Sequence, residues 1–390
     1  MRKIAVIIIL CLFAAVGYAQ EVKECSFAWD GVTRQYICII PSCCNESQPR
    51  GMILILHGLG DDKNGFAAAL NAKSFAESSG WVCVIPQALS SEIKVMGYTI
   101  PLGSCWNAAV SINIMGSDYV LNGNTDDEGF LMSLLDTMTK NYNISTDSVF
   151  VTGFSMGGFM TQRLLVEHGD KFAAAVSVSG MLPAAYKQTM PSYNRHPNVM
   201  HVHSPDDNTV LYNGQFDYSD INMKFQVGLS VPQTIEYWRS FNQCRDSYVT
   251  DTFPDTRDDG LLFVRKSYHD GIDNSRVVLI DVEGGVHTWY GDTNAYDIDY
   301  MEEIYNFCTD KKQSLCVHEA NTMPFSVYPN PAKDGITVYA SGSVSIFNAE
   351  GQLIKTLKCI NGGTRLDTKG WNSGVYYLKC GSKVQKLIIK

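Results

Sequence analysis

Six short apolar runs recur along this chain: MILILHG (52–58), WVCVIPQ (81–87), VFVTG (149–153), FAAAVSVSG (172–180), NVMHVHS (198–204) and RVVLIDV (276–282). Their apolar residues are consecutive instead of alternating, so both faces of each strand have to be covered. Helical patterns lie between them, as in DEGFLMSLLDTMTKNY (127–142) and in the stretch after Ser155, where Phe159, Met160, Leu164 and Leu165 share a face. This alternation predicts an α/β fold, with a mostly parallel central sheet covered by helices. Ligands and reacting groups in such sheets gather at the carboxyl ends of the strands.

The two ends of the chain are of a different kind. MRKIAVIIILCLFAAVGYAQ opens with Arg2 and Lys3, continues in an apolar run from Ala5 to Val16 and reaches small residues at Gly17 and Ala19. The run is too short to span a bilayer comfortably, so residues 1–19 read as a signal peptide and the chain as exported without a membrane anchor. Past residue 317 the texture changes to short alternating pieces, among them ITVYA, VSIFNA, GVYYLKC and VQKLIIK, separated by Gly, Asn and Asp. These predict a small antiparallel β-domain over 327–390, joined by a linker at 318–326 to a larger domain over 20–317. Charge divides the same way: residues 327–390 hold nine Lys or Arg against three Asp or Glu, while the whole chain carries a formal charge of −9. The acidic larger domain is a poor partner for nucleic acid or an anionic membrane. Eleven cysteines remain after the signal peptide, and in an exported chain most of them are expected to pair. Cys43-Cys44 has no matching ligand pair, so no structural zinc is expected, and no motif asks for a cofactor.

Three strand ends carry reactive side chains in a telling order. In VTGFSMGG (151–158) Ser155 lies at a strand-to-helix junction between Gly153 and Gly157, a turn that presses the hydroxyl out over the sheet. Capping the helix is the plainer role for that serine. Asp206 and Asp207 follow NVMHVHS, and His287 follows RVVLIDV in the glycine-rich EGGVHTWYG. Nucleophile, acid and base in that chain order suit acyl transfer: an imidazole takes the serine proton and a buried carboxylate fixes its tautomer. Spacing from His203 and Val210 favours Asp207 over Asp206, and His57 is a lesser candidate for the base. The turn in HGLGDDKNGF (57–66) offers the backbone N–H of Leu59, which with that of Met156 can hold a developing oxyanion.

Further stretches make the chain resemble the secreted α/β-hydrolase esterases that include feruloyl esterases, acetylxylan esterases and polyhydroxybutyrate depolymerases. They are LILHGLGDDKNGF (53–66), GSCWN (103–107), HSPDDNTV (203–210), YWRSFNQC (237–244) and GGVHTWYG (284–291). The resemblance implies a triad of Ser155, Asp207 and His287. Ser204 stands where the H-G-x-x-D-x-x-V motif has glycine, and Pro205 follows it, which keeps Asp206 as a rival. It also implies that Cys105 and Cys244 pair. The tail, with VYPNPAKDGITV (327–338) and a terminal KLIIK, is similar to the C-terminal sorting domain of the type IX secretion pathway. That likeness implies secretion machinery as a partner and export to the cell exterior.

The expected activity is that of a secreted serine carboxylic-ester hydrolase, foremost a feruloyl esterase acting on plant arabinoxylan. Trp106, Trp289 and Tyr290 would give flat walls for a cinnamoyl ring, beside the apolar side chains of Leu59 and Met156. Acetylxylan deacetylation and polyester cleavage are the alternatives within the same chemistry. A noncatalytic carbohydrate-binding protein, with those aromatics stacking on sugars, is the alternative of another class. It leaves the serine, aspartate and histidine at strand ends unexplained.

Overall fold

The structure is a computed structural model and describes residues 20–43, 49–95, 97–218, 223–292, 294–309, 326–328, 330–340, 342–349, 351–359, 364–380 and 383–390. The segment read as a signal peptide, nearly all of the expected linker, and Cys44 and Cys316 lie outside the described residues. The chain divides into two compact units, residues 1–314 and 315–390.

The larger unit is built on a ten-stranded sheet. Its strands are β1 (Glu21–Trp29), β2 (Val32–Ile40), β3 (Arg50–Leu56), β4 (Val82–Pro86), β5 (Ile144–Phe154), β6 (Ala174–Val178), β7 (Asn198–His203), β8 (Tyr248–Thr252), β9 (Leu262–Tyr268) and β10 (Val277–Glu283). They lie in the order β1-β2-β4-β3-β5-β6-β7-β10-β9-β8. The six central strands, from β4 to β10, pair in parallel, and the hairpins at both edges pair antiparallel. From β3 the chain moves first to β4 on one side and then to β5 on the other, so a crevice opens between the ends of β3 and β5.

Six helices cover the two faces: α1 (Lys63–Ala69), α2 (Ala72–Ser79), α3 (Asp127–Asn141), α4 (Met156–His168), α5 (Val231–Asn242) and α6 (Tyr300–Cys308). Successive strand side chains point to opposite faces, and β3 shows the division. Met52, Leu54 and Leu56 join the core that holds Phe130 and Leu134 of α3, Leu164 of α4 and Trp238 of α5. Ile53 and Ile55 join the other core, with Phe66 of α1, Phe75 of α2, and Ile304 and Phe307 of α6. Four helices start on side-chain caps, from Asp62, Asp126, Ser230 and Asp299. Such a cap is worth about 0.5–2 kcal/mol. At the start of α4, Ser155 occupies the same position and makes no cap bond.

Among the described residues, seven cysteines depart from the expected pairing. Cys25, Cys38, Cys43, Cys83, Cys105, Cys244 and Cys308 are thiols. The sheet keeps some apart by geometry: Cys38 of β2 lies in one core and Cys83 of β4, on the neighbouring strand, in the other. Cys105 and Cys244 are not joined either. The Cys105 thiol faces Trp106 O at 3.5 Å, whereas that of Cys244 faces Ser275 O at 3.7 Å, beside the loop that leads into β10. Burial pushes the Cys105 thiol up to about 12 and raises that of Cys244, so both stay protonated at neutral pH.

The smaller unit holds a three-stranded and a four-stranded antiparallel sheet. They share a core of its own that includes Ile336, Val338, Ile346, Leu366, Leu378 and Leu387. A core formed only from its own residues is the physical mark of a separate folding unit. A chain ending at residue 314 is therefore expected to fold and to keep whatever ester-hydrolysing activity the full chain has. Circular dichroism with a rate assay checks this, and a folded but inactive truncation would contradict it.

Candidate active site

Four loops converge at the carboxyl ends of β3, β5, β7 and β10. The nucleophile candidate follows β5. Helix α4 approaches so closely that a Cβ on Gly157 would lie 2.1 Å from Leu56 O, and one on Gly153 would lie 2.2 Å from Gly157 O. No side chain fits at either place. Between them Ser155 takes φ 55°, ψ −117°, a region costing a non-glycine residue about 1–3 kcal/mol. Its amide donates to Val178 O at 2.9 Å, which ties the turn to the neighbouring strand β6.

That turn leaves the hydroxyl free to meet the histidine. His287 Nε2 lies 2.9 Å from Ser155 Oγ, and His287 Nδ1 lies 2.7 Å from Asp207 Oδ2. With Nδ1–H donating to the carboxylate, Nε2 is left to accept the serine proton. The imidazole ring also packs, tilted by 33°, against Phe154, the last residue of β5, with ring centroids 4.9 Å apart. The structure therefore brings Ser155, Asp207 and His287 into one line.

Asp207 is buried, and its other oxygen accepts from the amides of Thr209 and Val210, each at 2.9 Å. Burial pushes its carboxyl up, but the hydrogen bond and charge of His287, with His203 and the Thr209 amide, outweigh that and hold it below the ordinary value. His203 donates from Nε2 to Val210 O at 2.7 Å, which braces the same loop. Asp206 faces elsewhere: it is exposed, and its carboxylate accepts from Gly284 N at 2.9 Å.

The turn after β3 abuts the serine, since a Cβ on Gly58 would lie 3.6 Å from Ser155 Cβ. Met156 is the first residue of α4, so its amide belongs to the group a helix leaves without an internal acceptor. Among the described residues the Leu59 N–H has no hydrogen-bond acceptor, while its neighbours are engaged: Gly58 N donates to Asp61 Oδ2 at 3.1 Å and Gly60 N to Ser104 O at 2.8 Å. His57 is buried beneath. It accepts from Ala88 N at Nε2 (3.1 Å) and therefore donates from Nδ1 to Gly58 O (2.7 Å), as a neutral ring whose pKa burial lowers. Its place is that of a scaffold for the turn and not of a base.

Two of the expected ligand walls turn inward. Trp106 is fully buried and its indole N–H donates to His57 O at 2.9 Å. Tyr290 is buried too, and its hydroxyl accepts from Val286 N at 2.9 Å, next to His287. Neither ring offers a face to a ligand. Trp289 is half-buried, packed edge-on against Phe66, Phe154 and Tyr300. A 420 Å³ cleft between α2 and α6 contains none of these residues.

Beneath the loop at 105–107 lies an ion pair that sequence reasoning missed. Arg34 of β2 and Asp127 of α3, both buried, meet at 2.5 Å, with the guanidinium 3.9 Å over the Phe130 ring. Asp127 also accepts from Asn107 N at 2.7 Å, and Arg163 of α4 donates to Asn107 O at 2.6 Å. This pair suspends the strand of loop that carries Trp106, and through it the turn at 57–60. Its one trace in the sequence is the doubled aspartate, of which Asp126 caps the helix and Asp127 goes inward.

Residues 43–215 match the family model described as phospholipase/carboxylesterase, and residues 326–390 match the secretion system C-terminal sorting domain. Among curated proteins the chain is similar to the putative esterase NocK of Nocardia uniformis subsp. tsuyamanensis, 25% identical over 272 residues, 68% of this chain and 73% of that protein. It is similar to the bifunctional acetylxylan esterase/xylanase XynS20E of Neocallimastix patriciarum, 28% identical over 182 residues, 47% of this chain and 22% of the other. Feruloyl esterase B of Thermothelomyces thermophilus is 24% identical over 177 residues, 45% of this chain and 53% of its own length.

The buried histidines give the fold's stability a pH dependence. Burial lowers the pKa of His57, His201 and His203. Below about pH 6.5 the unfolded chain takes up protons that the folded chain refuses, so stability falls as pH drops, by up to about 1.4 kcal/mol per pH unit and histidine. The stabilisation from the lowered Asp207 is present above about pH 4 and is lost only on further acidification. Urea midpoints should therefore decline steadily from pH 7 to pH 5. A midpoint constant over that range would contradict neutral burial of these rings.

Proposed function

We propose that this secreted α/β-hydrolase of the esterase kind, exported with its sorting domain, is a serine esterase that deacetylates an extracellular polysaccharide such as xylan. The observation that carries the reading is the unbroken line from Asp207 through His287 to Ser155, at 2.7 and 2.9 Å. Ser155 Oγ attacks the acyl carbon while His287 Nε2 takes its proton, and Asp207 stabilises the imidazolium that forms. The Leu59 and Met156 amides hold the tetrahedral oxyanion. Collapse expels the sugar alcohol, which takes the proton back from His287 and leaves an acyl-Ser155. Water, activated by the same histidine, then releases acetate and restores the serine.

The small acyl group is favoured over ferulate by the burial of Trp106 and Tyr290. A cinnamoyl ring needs a slot with exposed flat walls, and the side chains proposed for it are occupied in packing. An acetyl group asks only for room beside the oxyanion turn. Similarity to an esterase named for acetylxylan supports the same choice, and export suits a polymer too large to enter a cell.

The test compares wild type and Ser155→Ala on acetylated xylan and methyl ferulate. Wild type should release acetate with the larger kcat/KM, and the variant should stay folded and lose about three orders of magnitude or more. Turnover near wild type in Ser155→Ala would overturn the serine mechanism. Preference for methyl ferulate would overturn the acyl assignment alone.

A further inference from the structure

Ahead of His287 its loop has little apolar anchorage, whereas after it Tyr290 is buried and Trp289 packs on Phe66 and Phe154. Val286, the residue before the histidine, is 53% exposed, and the glycines before it have no side chain to bury. This leading part is held by hydrogen bonds, one within the loop from Val286 N to the Tyr290 hydroxyl and others to the acid loop that follows β7. Ser204, 3% exposed, donates from Oγ to Gly285 O at 2.7 Å and accepts at the same oxygen from Asp206 N at 3.0 Å. Asp206 accepts from Gly284 N through Oδ2 at 2.9 Å. The two loops are thus joined by a pair of hydrogen bonds, one in each direction, two and three residues ahead of the histidine.

We propose that Ser204 and Asp206 are positioning residues, which clamp the histidine loop to the acid loop and so keep His287 aimed at Ser155. The inference rests on the serine mechanism proposed above. It also gives a role to the two features that set this segment apart in the sequence. The hydroxyl standing where the related motif has glycine supplies the bond to Gly285. The second aspartate, which is exposed and turned away from the histidine, supplies the bond to Gly284. Neither touches the reacting atoms. Their effect is geometric: proton transfer needs the 2.9 Å approach of Nε2 to Oγ, and a misplacement of about 1 Å can cost about 100-fold in rate.

The full chain and its Ser204→Ala, Asp206→Ala, Asp206→Asn and Ser155→Ala variants are compared on p-nitrophenyl acetate, with kcat, KM and Tm read for each. Ser204→Ala and Asp206→Ala should lower kcat about 10- to 100-fold with KM nearly unchanged. Asp206→Asn, whose amide oxygen still accepts from Gly284, should recover most of the loss seen in Asp206→Ala. A merely structural role would lower Tm and treat the two Asp206 variants alike. If Ser204→Ala fails to fold, the exposed Asp206 pair decides. Full kcat in Asp206→Ala beside an inactive Ser155→Ala would overturn the clamp and leave the serine mechanism standing. An active Ser155→Ala would overturn both.

Discussion

The site depends on how closely the start of α4 is driven onto the ends of β3 and β5. Backbone meets backbone there, with no space for a Cβ at Gly153 or Gly157. The cost is a serine held at positive φ. The return is that its hydroxyl cannot cap its own helix and projects over the sheet, where His287 accepts it. The same contact sets the first amide of α4 beside the turn that follows β3. The placement of the Ser155 hydroxyl and of the Met156 amide therefore follows from one packing event, supported by the large apolar sheet on which both strands lie.

Around that contact the structure invests polar groups in holding loops. Trp106, Ser104, Asp61 and His57 fix the turn at 57–60. Arg34 and Asp127 hold the loop that carries Trp106. Breaking such a buried pair by removing one partner typically costs about 3–5 kcal/mol, because the other charge is left without compensation. Ser204, Asp206 and Tyr290 hold the loop of His287. Loops that carry chemistry need this, since they lack the regular ladders of strands and helices.

Much of the arrangement was legible in the sequence. Consecutive apolar residues gave the central parallel strands, and the chain order of Ser155, Asp207 and His287 located the ends that matter. The edge hairpins were harder to read: β1 is half exposed along its length, and Cys25, Phe27 and Trp29 alone among its side chains pack on the core. Adjacent aspartates were ambiguous for a physical reason. At 126–127 and again at 206–207, one carboxylate serves a backbone amide and the other a cation or imidazole inside, and composition is identical in both roles. Aromatic residues misled in the same way. Trp106 and Tyr290 do lie next to the site, but sequence carries no record of which rings are covered. The cysteine count likewise spoke for an exported chain and not for which face of the sheet each thiol occupies.

The central claim is that Ser155 is the group that becomes acylated. Treating the full chain with a fluorophosphonate and locating the adduct by peptide mass spectrometry tests it directly, because only a serine activated by a neighbouring base reacts readily. The account expects one adduct, on Ser155, formed in step with the loss of esterase activity. An adduct on another residue, or an enzyme that keeps hydrolysing esters with Ser155 fully modified, would contradict it.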